Sequence, residues 1–121
     1  MKRIYICAPL GGDVERNLEN VKQYARFALG CGTAPVVPHF YSLFLDDHNP
    51  KHRKLGMEAG LHLLEGCDEM WVFGDKTSPG MEAEILFCEE RGIPILRFSV
   101  ISSSAEALDE EECTCVENPC M

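Results

Sequence analysis

The chain has 121 residues, of which 45% are hydrophobic and 26% are charged, as is ordinary for one globular domain with its own core. Its net charge of −9 comes without any cluster of basic residues, which argues against binding of a nucleic acid polymer. No apolar run is long enough to cross a bilayer and no signal peptide follows Met1. We therefore expect a cytoplasmic protein with no membrane partner.

The acidic residues are concentrated at the C-terminus. Residues 103–121 contain six of the 20 acidic residues and no Lys or Arg. We expect an α/β domain over residues 1–102, followed by an acidic, Cys-containing tail of low order over residues 103–121. The tail cysteines have the spacing C-x-C-x4-C, which could hold a soft metal, but a fourth ligand is not evident, and we predict no metal site and no cofactor (Cys113, Cys115, Cys120). The remaining cysteines fall in or beside predicted helices and strands, where reduced Cys packs as a small hydrophobe (Cys7, Cys31, Cys67, Cys88).

Short apolar runs alternate with helical patterns along the first 98 residues. The runs at 4–8, 34–38, 70–73 and 93–98 predict four strands, and the two prolines of the second run place it at an edge. Helices are predicted from the Gly12–Asp13 region to Gly30, over 51–65 and from residue 79 to Gly92. The residues expected to face the core are Leu18, Val21, Ala25, Ala28 and Leu29 in the first helix and Leu55, Ala59 and Leu63, with His62 near them, in the second.

This alternation predicts a three-layer α/β fold of the flavodoxin or Rossmann-like type. Its parallel sheet would have four or five strands in the order 2-1-3-4, flanked by helices. That order reverses between the first and third strands, so a crevice should form at their carboxyl ends. The loops at 9–13 and 74–80 open onto this crevice, and the segment 39–45, which is aromatic and irregular, is expected to form a pocket wall.

One acidic residue lies on the apolar side of the third helix. Ser78 is a suitable N-cap and Pro79 suits the first helical position, so Glu84 falls on the same arc as Met81, while Glu82 faces solvent. A carboxylate there, near the helix N-terminus, suits a nucleophile. The alternative is a structural carboxylate bonded to a Tyr or an amide.

The glycine-containing loops also allow two interpretations. Gly11 and Gly12 could present backbone N–H groups to an anion or could form only a tight turn, because they match neither G-x-G-x-x-G nor a P-loop. Ser78 and Gly80 could bind an anion or could simply begin a helix. His48 and His52 are separated by Asn49-Pro50, so we interpret them as surface residues or substrate contacts and not as a zinc pair.

The segments 5–12 (YICAPLGG) and 78–84 (SPGMEAE) resemble the first strand and loop and the catalytic signature of nucleoside 2-deoxyribosyltransferases and related deoxynucleotide N-glycosidases. The resemblance covers about residues 3–98 and is nearest to the small, largely uncharacterised bacterial and phage branch of that superfamily. It implies that Glu84 is the nucleophile and that Tyr5 orients its carboxylate. It also implies a small nucleoside or nucleotide as substrate, held at its sugar and 5′ end by the two loops (Ala8, Pro9, Gly11, Gly12, Asp75, Ser78, Gly80, Met81).

One departure from the family pattern bears on activity. The resemblance implies an Asp eight residues before Asp68, to protonate or contact the leaving base, and this chain has Gly60 there. The leading hypothesis is cleavage or transfer of an N-glycosidic bond through a glutamyl glycosyl-enzyme intermediate. The alternatives are a module that senses a nucleotide-like ligand without turnover, favoured by Gly60, and a scaffold that uses the acidic tail. The resemblance further implies a homodimer or higher homo-oligomer.

Overall fold

The sheet is parallel apart from its last strand. The computed structural model describes residues 1–98 and 117–120. Strands β1 (Arg3–Cys7), β2 (Ala34–Val36), β3 (Glu69–Phe73) and β4 (Ile95–Phe98) pair in parallel, and β5 (Glu117–Cys120) pairs antiparallel with β4. The order is β2-β1-β3-β4-β5, so the predicted order 2-1-3-4 is confirmed for the four parallel strands.

Within residues 1–98, three helices and a 3₁₀ segment connect the four parallel strands. Helix α1 spans Val14–Gly30, the 3₁₀ segment spans Pro38–Leu43, α2 spans Pro50–Glu65 and α3 spans Pro79–Arg91. Each α-helix begins at a side-chain N-cap: the side chains of Asp13, Asn49 and Ser78 accept backbone N–H bonds. Gly92 ends α3 in the left-handed conformation (φ 72°), which glycine adopts without steric penalty.

Alternate residues of β1 divide the core into two layers. Ile4 and Ile6, with Ala8 just after the strand, pack with Val21 and Phe27 of α1 on one face of the sheet. Tyr5 and Cys7 point to the other face, in the cluster that contains residues of α2 and α3 (Leu64, Met81, Cys88). The fold is thus three-layered as predicted, and the residues of β1 that face α3 are those that reach Glu84.

The predicted core faces of the first two helices are partly wrong. In α1, Val21 and Ala28 are buried as expected, but Leu29 is 48% exposed and Phe27 is buried. In α2, Leu55 is 58% exposed, whereas Gly60 and Leu64 are buried. The reason in α2 is that its inner face follows four-residue steps through Gly56, Gly60 and Leu64, and glycines give no apolar signal in the sequence.

Two predictions concern the C-terminal segment after residue 98. The division at residue 102 and the low order of 103–121 lie almost wholly outside the described residues, although 117–120 form an edge strand that the sequence did not indicate. The C-x-C-x4-C spacing also lies outside the described residues, apart from the backbone of Cys120.

Cys7, Cys67 and Cys88 are free thiols. Cys31, which was expected to be reduced, is disulfide-bonded, and none of these three cysteines is its partner. No helix within the described residues is both long and apolar enough for a membrane span.

Candidate active site

Glu84 is held by two side chains of β1. The Tyr5 hydroxyl donates a hydrogen bond to Glu84 Oε2 at a distance of 2.5 Å, and the Cys7 thiol donates one to Glu84 Oε1 at a distance of 3.3 Å. Both donors are fully buried, whereas Glu84 is half-buried. Glu82, its neighbour on α3, is exposed and bonds to the Thr77 hydroxyl instead. The expected contact between Tyr5 and Glu84 is therefore present, and the separation of the two acids on α3 is confirmed.

Burial controls the ionisation of this cluster. It raises the pKa of the Glu84 carboxyl above its ordinary value, and the hydrogen bonds from Tyr5 and Cys7 oppose that rise because they favour the charged form. Burial beside the Glu84 carboxylate also raises the pKa of the Tyr5 hydroxyl and of the Cys7 thiol well above their ordinary values. Tyr5 and Cys7 thus remain protonated donors, and Glu84 is the group of the three that can lose a proton.

The Glu84 carboxylate lies on the wall of a cavity of about 390 Å³ at the carboxyl ends of β1 and β3. Seven of the residues predicted for the site line it (Tyr5, Ala8, Gly11, Ser78, Gly80, Met81, Glu84), and three do not (Pro9, Gly12, Asp75). The two predicted loops nevertheless meet, since a Cβ added at Gly74 would lie 4.0 Å from the Pro9 ring. The switch point of the sheet therefore carries the cavity, as the strand order predicts.

Local hydrogen bonds shape the two loops. The Asn17 side chain of α1 donates to the carbonyls of Leu10 and Gly11 over 3.0 and 2.9 Å, which holds the first loop against the helix. Gly12 follows in the left-handed conformation (φ 88°) that this turn requires. In the second loop the Ser78 oxygen accepts the backbone N–H of Met81, so its hydroxyl hydrogen remains able to donate to a ligand.

The opposite wall comes from the segment before α2 and from the first turns of α2. Four residues of the predicted wall 39–45 line the cavity (His39, Tyr41, Ser42, Leu45), and residues that the sequence analysis did not place in the site join them (Asp46, Asp47, Arg53, Gly56, Met57). His52, interpreted only as a surface residue or substrate contact, also lines it. These positions were not predicted because they belong to no sequence motif. The space beside α2 is left by glycine, which has no side chain to indicate a site.

The two histidines of this wall have fixed tautomers. His39 Nε2 lies 2.7 Å from the Ala8 carbonyl, which can only accept, so this nitrogen carries the ring proton. Burial lowers the pKa of His39, which keeps the ring neutral, and its Nδ1 has no partner among the described residues. His52 Nδ1 accepts the backbone N–H of Asp46 over 2.8 Å, so the proton of the neutral ring is on Nε2. His52 Nε2 is therefore a hydrogen-bond donor on the wall of the cavity.

Gly60 lies directly against the Tyr5 hydroxyl. A Cβ added at Gly60 would be 2.9 Å from the Tyr5 oxygen, a separation that real Cβ atoms essentially never show. Any side chain at this position would displace the hydroxyl that contacts Glu84. The absence of an acid at Gly60 is thus coupled to the placement of Tyr5, and no carboxyl group can be added there without disturbing the cluster.

Comparison with known proteins adds the family and the fold. Residues 2–98 match the family described as Domain of unknown function (DUF7768). The chain belongs to this family. No curated protein matches the DUF7768 chain.

Among the described residues, no group of three or more His, Cys, Asp or Glu side chains is arranged to hold a metal ion.

Solved structures show the same fold at low sequence identity. A 2-deoxyribosyltransferase from Bacillus psychrosaccharolyticus superposes with a TM-score of 0.65 and 18% identity, covering 87% of the DUF7768 chain and 81% of the other. A CMP N-glycosidase from Clostridium botulinum superposes with a TM-score of 0.51 and 14% identity, covering 90% and 84%. The chain therefore has a nucleoside 2-deoxyribosyltransferase-like fold, as its motifs predicted.

Proposed function

We propose that this DUF7768 protein is an enzyme that cleaves or transfers the N-glycosidic bond of a (deoxy)nucleoside or nucleotide. The observation that carries the proposal is the Glu84 carboxylate, held by Tyr5 at a cavity of about 390 Å³. Ligand pockets in proteins commonly have volumes of roughly 300–1,000 Å³. The activities of the two structural neighbours agree with this substrate class.

The chemistry assigns Glu84 the role of nucleophile. One carboxylate oxygen bonds to the anomeric carbon as the bond from that carbon to the base nitrogen breaks, and the electron pair leaves with the base. Water, or a second base in the transfer reaction, then attacks the anomeric carbon and breaks its bond to the Glu84 oxygen, and the proton that the attacking group loses neutralises the departed base. Tyr5 remains bonded to Glu84 Oε2 and fixes the direction of attack. Metals and cofactors have no part in this scheme.

The leaving base faces the wall that contains His52. Because no acid stands at Gly60, His52 Nε2–H is assigned as the donor that bonds to an acceptor atom of the base and stabilises the departing electron pair. With Nδ1 accepting the Asp46 N–H, the ring acts here through a hydrogen bond from Nε2. The sugar lies between Glu84 and the loops, with the Ser78 hydroxyl and Gly11 near its 5′ end.

The phosphate requirement depends on opposing charges. Arg53 on the cavity wall would attract a 5′-phosphate, whereas Asp46 and Asp47 on the same wall would repel it. A Cβ at Gly11 would lie 3.5 Å from Asp47 Oδ2, which places this carboxylate beside the loop assigned to the 5′ end. Nucleosides and their monophosphates are therefore both needed in any test.

The protein is also proposed to work in the cytoplasm as a homodimer or higher oligomer. Its largest exposed apolar side chains include Phe40, Leu43 and Phe44, which are 53%, 80% and 62% exposed and lie in or beside the 3₁₀ segment of the cavity wall. Large exposed apolar patches mark protein interfaces. The patch supports self-association next to the site, and light scattering of wild type and Leu43→Asp would test it.

The test of function is release of free base. Purified protein is incubated with 2′-deoxynucleosides, ribonucleosides and their 5′-monophosphates, with and without an added second base, and the products are separated by chromatography. Glu84→Gln should abolish release, while Glu82→Gln, altered on the exposed stripe of the same helix, should retain it. Binding of a ligand without release of base in any mixture would instead support the sensing module that Gly60 favours.

A further inference from the structure

Cys7 contacts the other oxygen of the Glu84 carboxylate. Tyr5 and Cys7 are two residues apart on β1, so their side chains project from the same face of the sheet. The Tyr5 hydroxyl bonds to Oε2 and the Cys7 thiol bonds to Oε1, over 2.5 and 3.3 Å. Each oxygen of the carboxylate thus has one donor, and both donors come from a strand that is paired on both sides, with β2 and β3.

We propose that Cys7 is a positioning residue for the nucleophile, which fixes the rotation of the Glu84 carboxylate about its bond to Tyr5. The proposal rests on the proposed function of Glu84. With Tyr5 alone, the carboxylate could pivot about one hydrogen bond and move its second oxygen away from the anomeric carbon. With both donors engaged, the plane of the carboxylate is set by β1, and a small error in such alignment can lower a rate substantially.

A thiol suits this position because it is a weak donor. A second strong hydrogen bond would draw charge from the carboxylate oxygen that must attack. Burial and the neighbouring Glu84 carboxylate raise the pKa of the Cys7 thiol, so it stays protonated and continues to donate. Cys7 is fully buried, which also keeps water from replacing the thiol as the partner of Oε1.

The other interpretation is that Cys7 only fills space, as buried Cys often does. Cys67 offers a matched control, since it is also a free buried thiol but donates to the Leu63 carbonyl over 3.3 Å. A purely structural role predicts similar effects for Cys7→Ala and Cys67→Ala on stability and no selective effect on turnover. A positioning role predicts a selective effect on turnover and on the ionisation of Glu84.

The kinetic test compares the pH dependence of kcat and kcat/KM for wild type, Cys7→Ala, Cys7→Ser and Cys67→Ala. Cys7→Ala should lower kcat roughly 10-fold with little change in KM, near the low end for a hydrogen bond to a charged group. It should also move the acidic limb of kcat/KM to higher pH, because the ionised form of Glu84 loses a donor. Cys7→Ser should restore the position of the acidic limb, because the hydroxyl still donates to Glu84, but only part of kcat, because the stronger bond draws charge from the attacking oxygen. Cys67→Ala should match wild type. An unchanged kcat and pH profile in Cys7→Ala would overturn the proposal.

A second measurement does not need turnover. The S–H stretching band of Cys7, assigned by its loss in Cys7→Ala, should move to higher frequency in Glu84→Gln, because an amide is a weaker partner than a carboxylate. The same substitution should leave the band assigned to Cys67 in place. If no substrate is turned over but the Cys7 band moves, the proposed function fails while the contact stands. A Cys7 band that does not move in Glu84→Gln would overturn the positioning role itself.

Discussion

Gly60→Ala should destabilise the protein although alanine is the better helix former. The added methyl would lie 2.9 Å from the oxygen of Tyr5, which is fully buried and bonded to Glu84, so neither ring nor hydroxyl can move freely. Overpacking of this kind costs ~1–3 kcal/mol. Disturbing a hydrogen bond to a charged group adds about 1.5–3 kcal/mol. The higher helix propensity of alanine stabilises α2 by only ~1 kcal/mol. We expect a net loss of about 1.5–5 kcal/mol in the free energy of unfolding, from these three terms.

Gly56→Ala is the matched control, since Gly56 lies one turn earlier on the same face of α2. Its added methyl would lie 3.4 Å from the end of the Leu45 side chain, which can adjust, so we expect no loss or a gain of up to ~1 kcal/mol. Urea unfolding at neutral pH, followed by circular dichroism, measures both. Equal stability of the two variants would show that the Tyr5 hydroxyl does not lie against Gly60, and that Tyr5 does not exclude an acidic side chain from this position.

Three further results are expected. Glu84→Gln should raise the Tm at neutral pH. Burial raises the pKa of Glu84, so wild-type stability is fully present below the ordinary carboxyl pKa of about 4.3 and falls as pH rises from there through the higher pKa of the folded state. Thermal scans should show this advantage disappearing at lower pH, and an advantage unchanged in acid would contradict it. Ser78→Ala should lower the free energy of unfolding by about 1 kcal/mol in urea titrations, because α3 loses its N-cap bond; no loss would mean that the cap is not formed. His52→Gln should lower kcat for base release at least ~10-fold, while His48→Gln, altered at an exposed residue, should not; equal rates would remove His52 from the site.

The fold was predictable because each element carries a local signal. Apolar runs mark β1, β3 and β4, and Asp13 and Ser78 are N-caps where the sequence predicts helices to begin. The strand order followed from the alternation of strands and helices. Strand β5 was not predicted because Glu117–Cys120 has no apolar pattern, and it contains a proline that an edge strand can accommodate.

The nucleophile side of the site was predicted better than the leaving-group side. Tyr5, Ser78 and Glu84 belong to recognisable segments, and the structure brings all three to one cavity. Cys7 was interpreted as a core residue because a contact between β1 and α3 depends on the packing of the two elements. The sequence left His52 open between a surface residue and a substrate contact, because its orientation is set by the backbone of Asp46, six residues earlier in an irregular segment.

A nucleophilic Glu84 forms a covalent bond to the sugar, and this intermediate can be trapped. A 2′-fluoro nucleoside slows release of the sugar, so the protein can be incubated with it, digested and analysed by mass spectrometry. We predict a glycosyl adduct on the peptide from α3, assigned by fragmentation to Glu84 and absent in Glu84→Gln. An adduct on Glu82, or base release by wild type without any adduct on Glu84, would contradict the account.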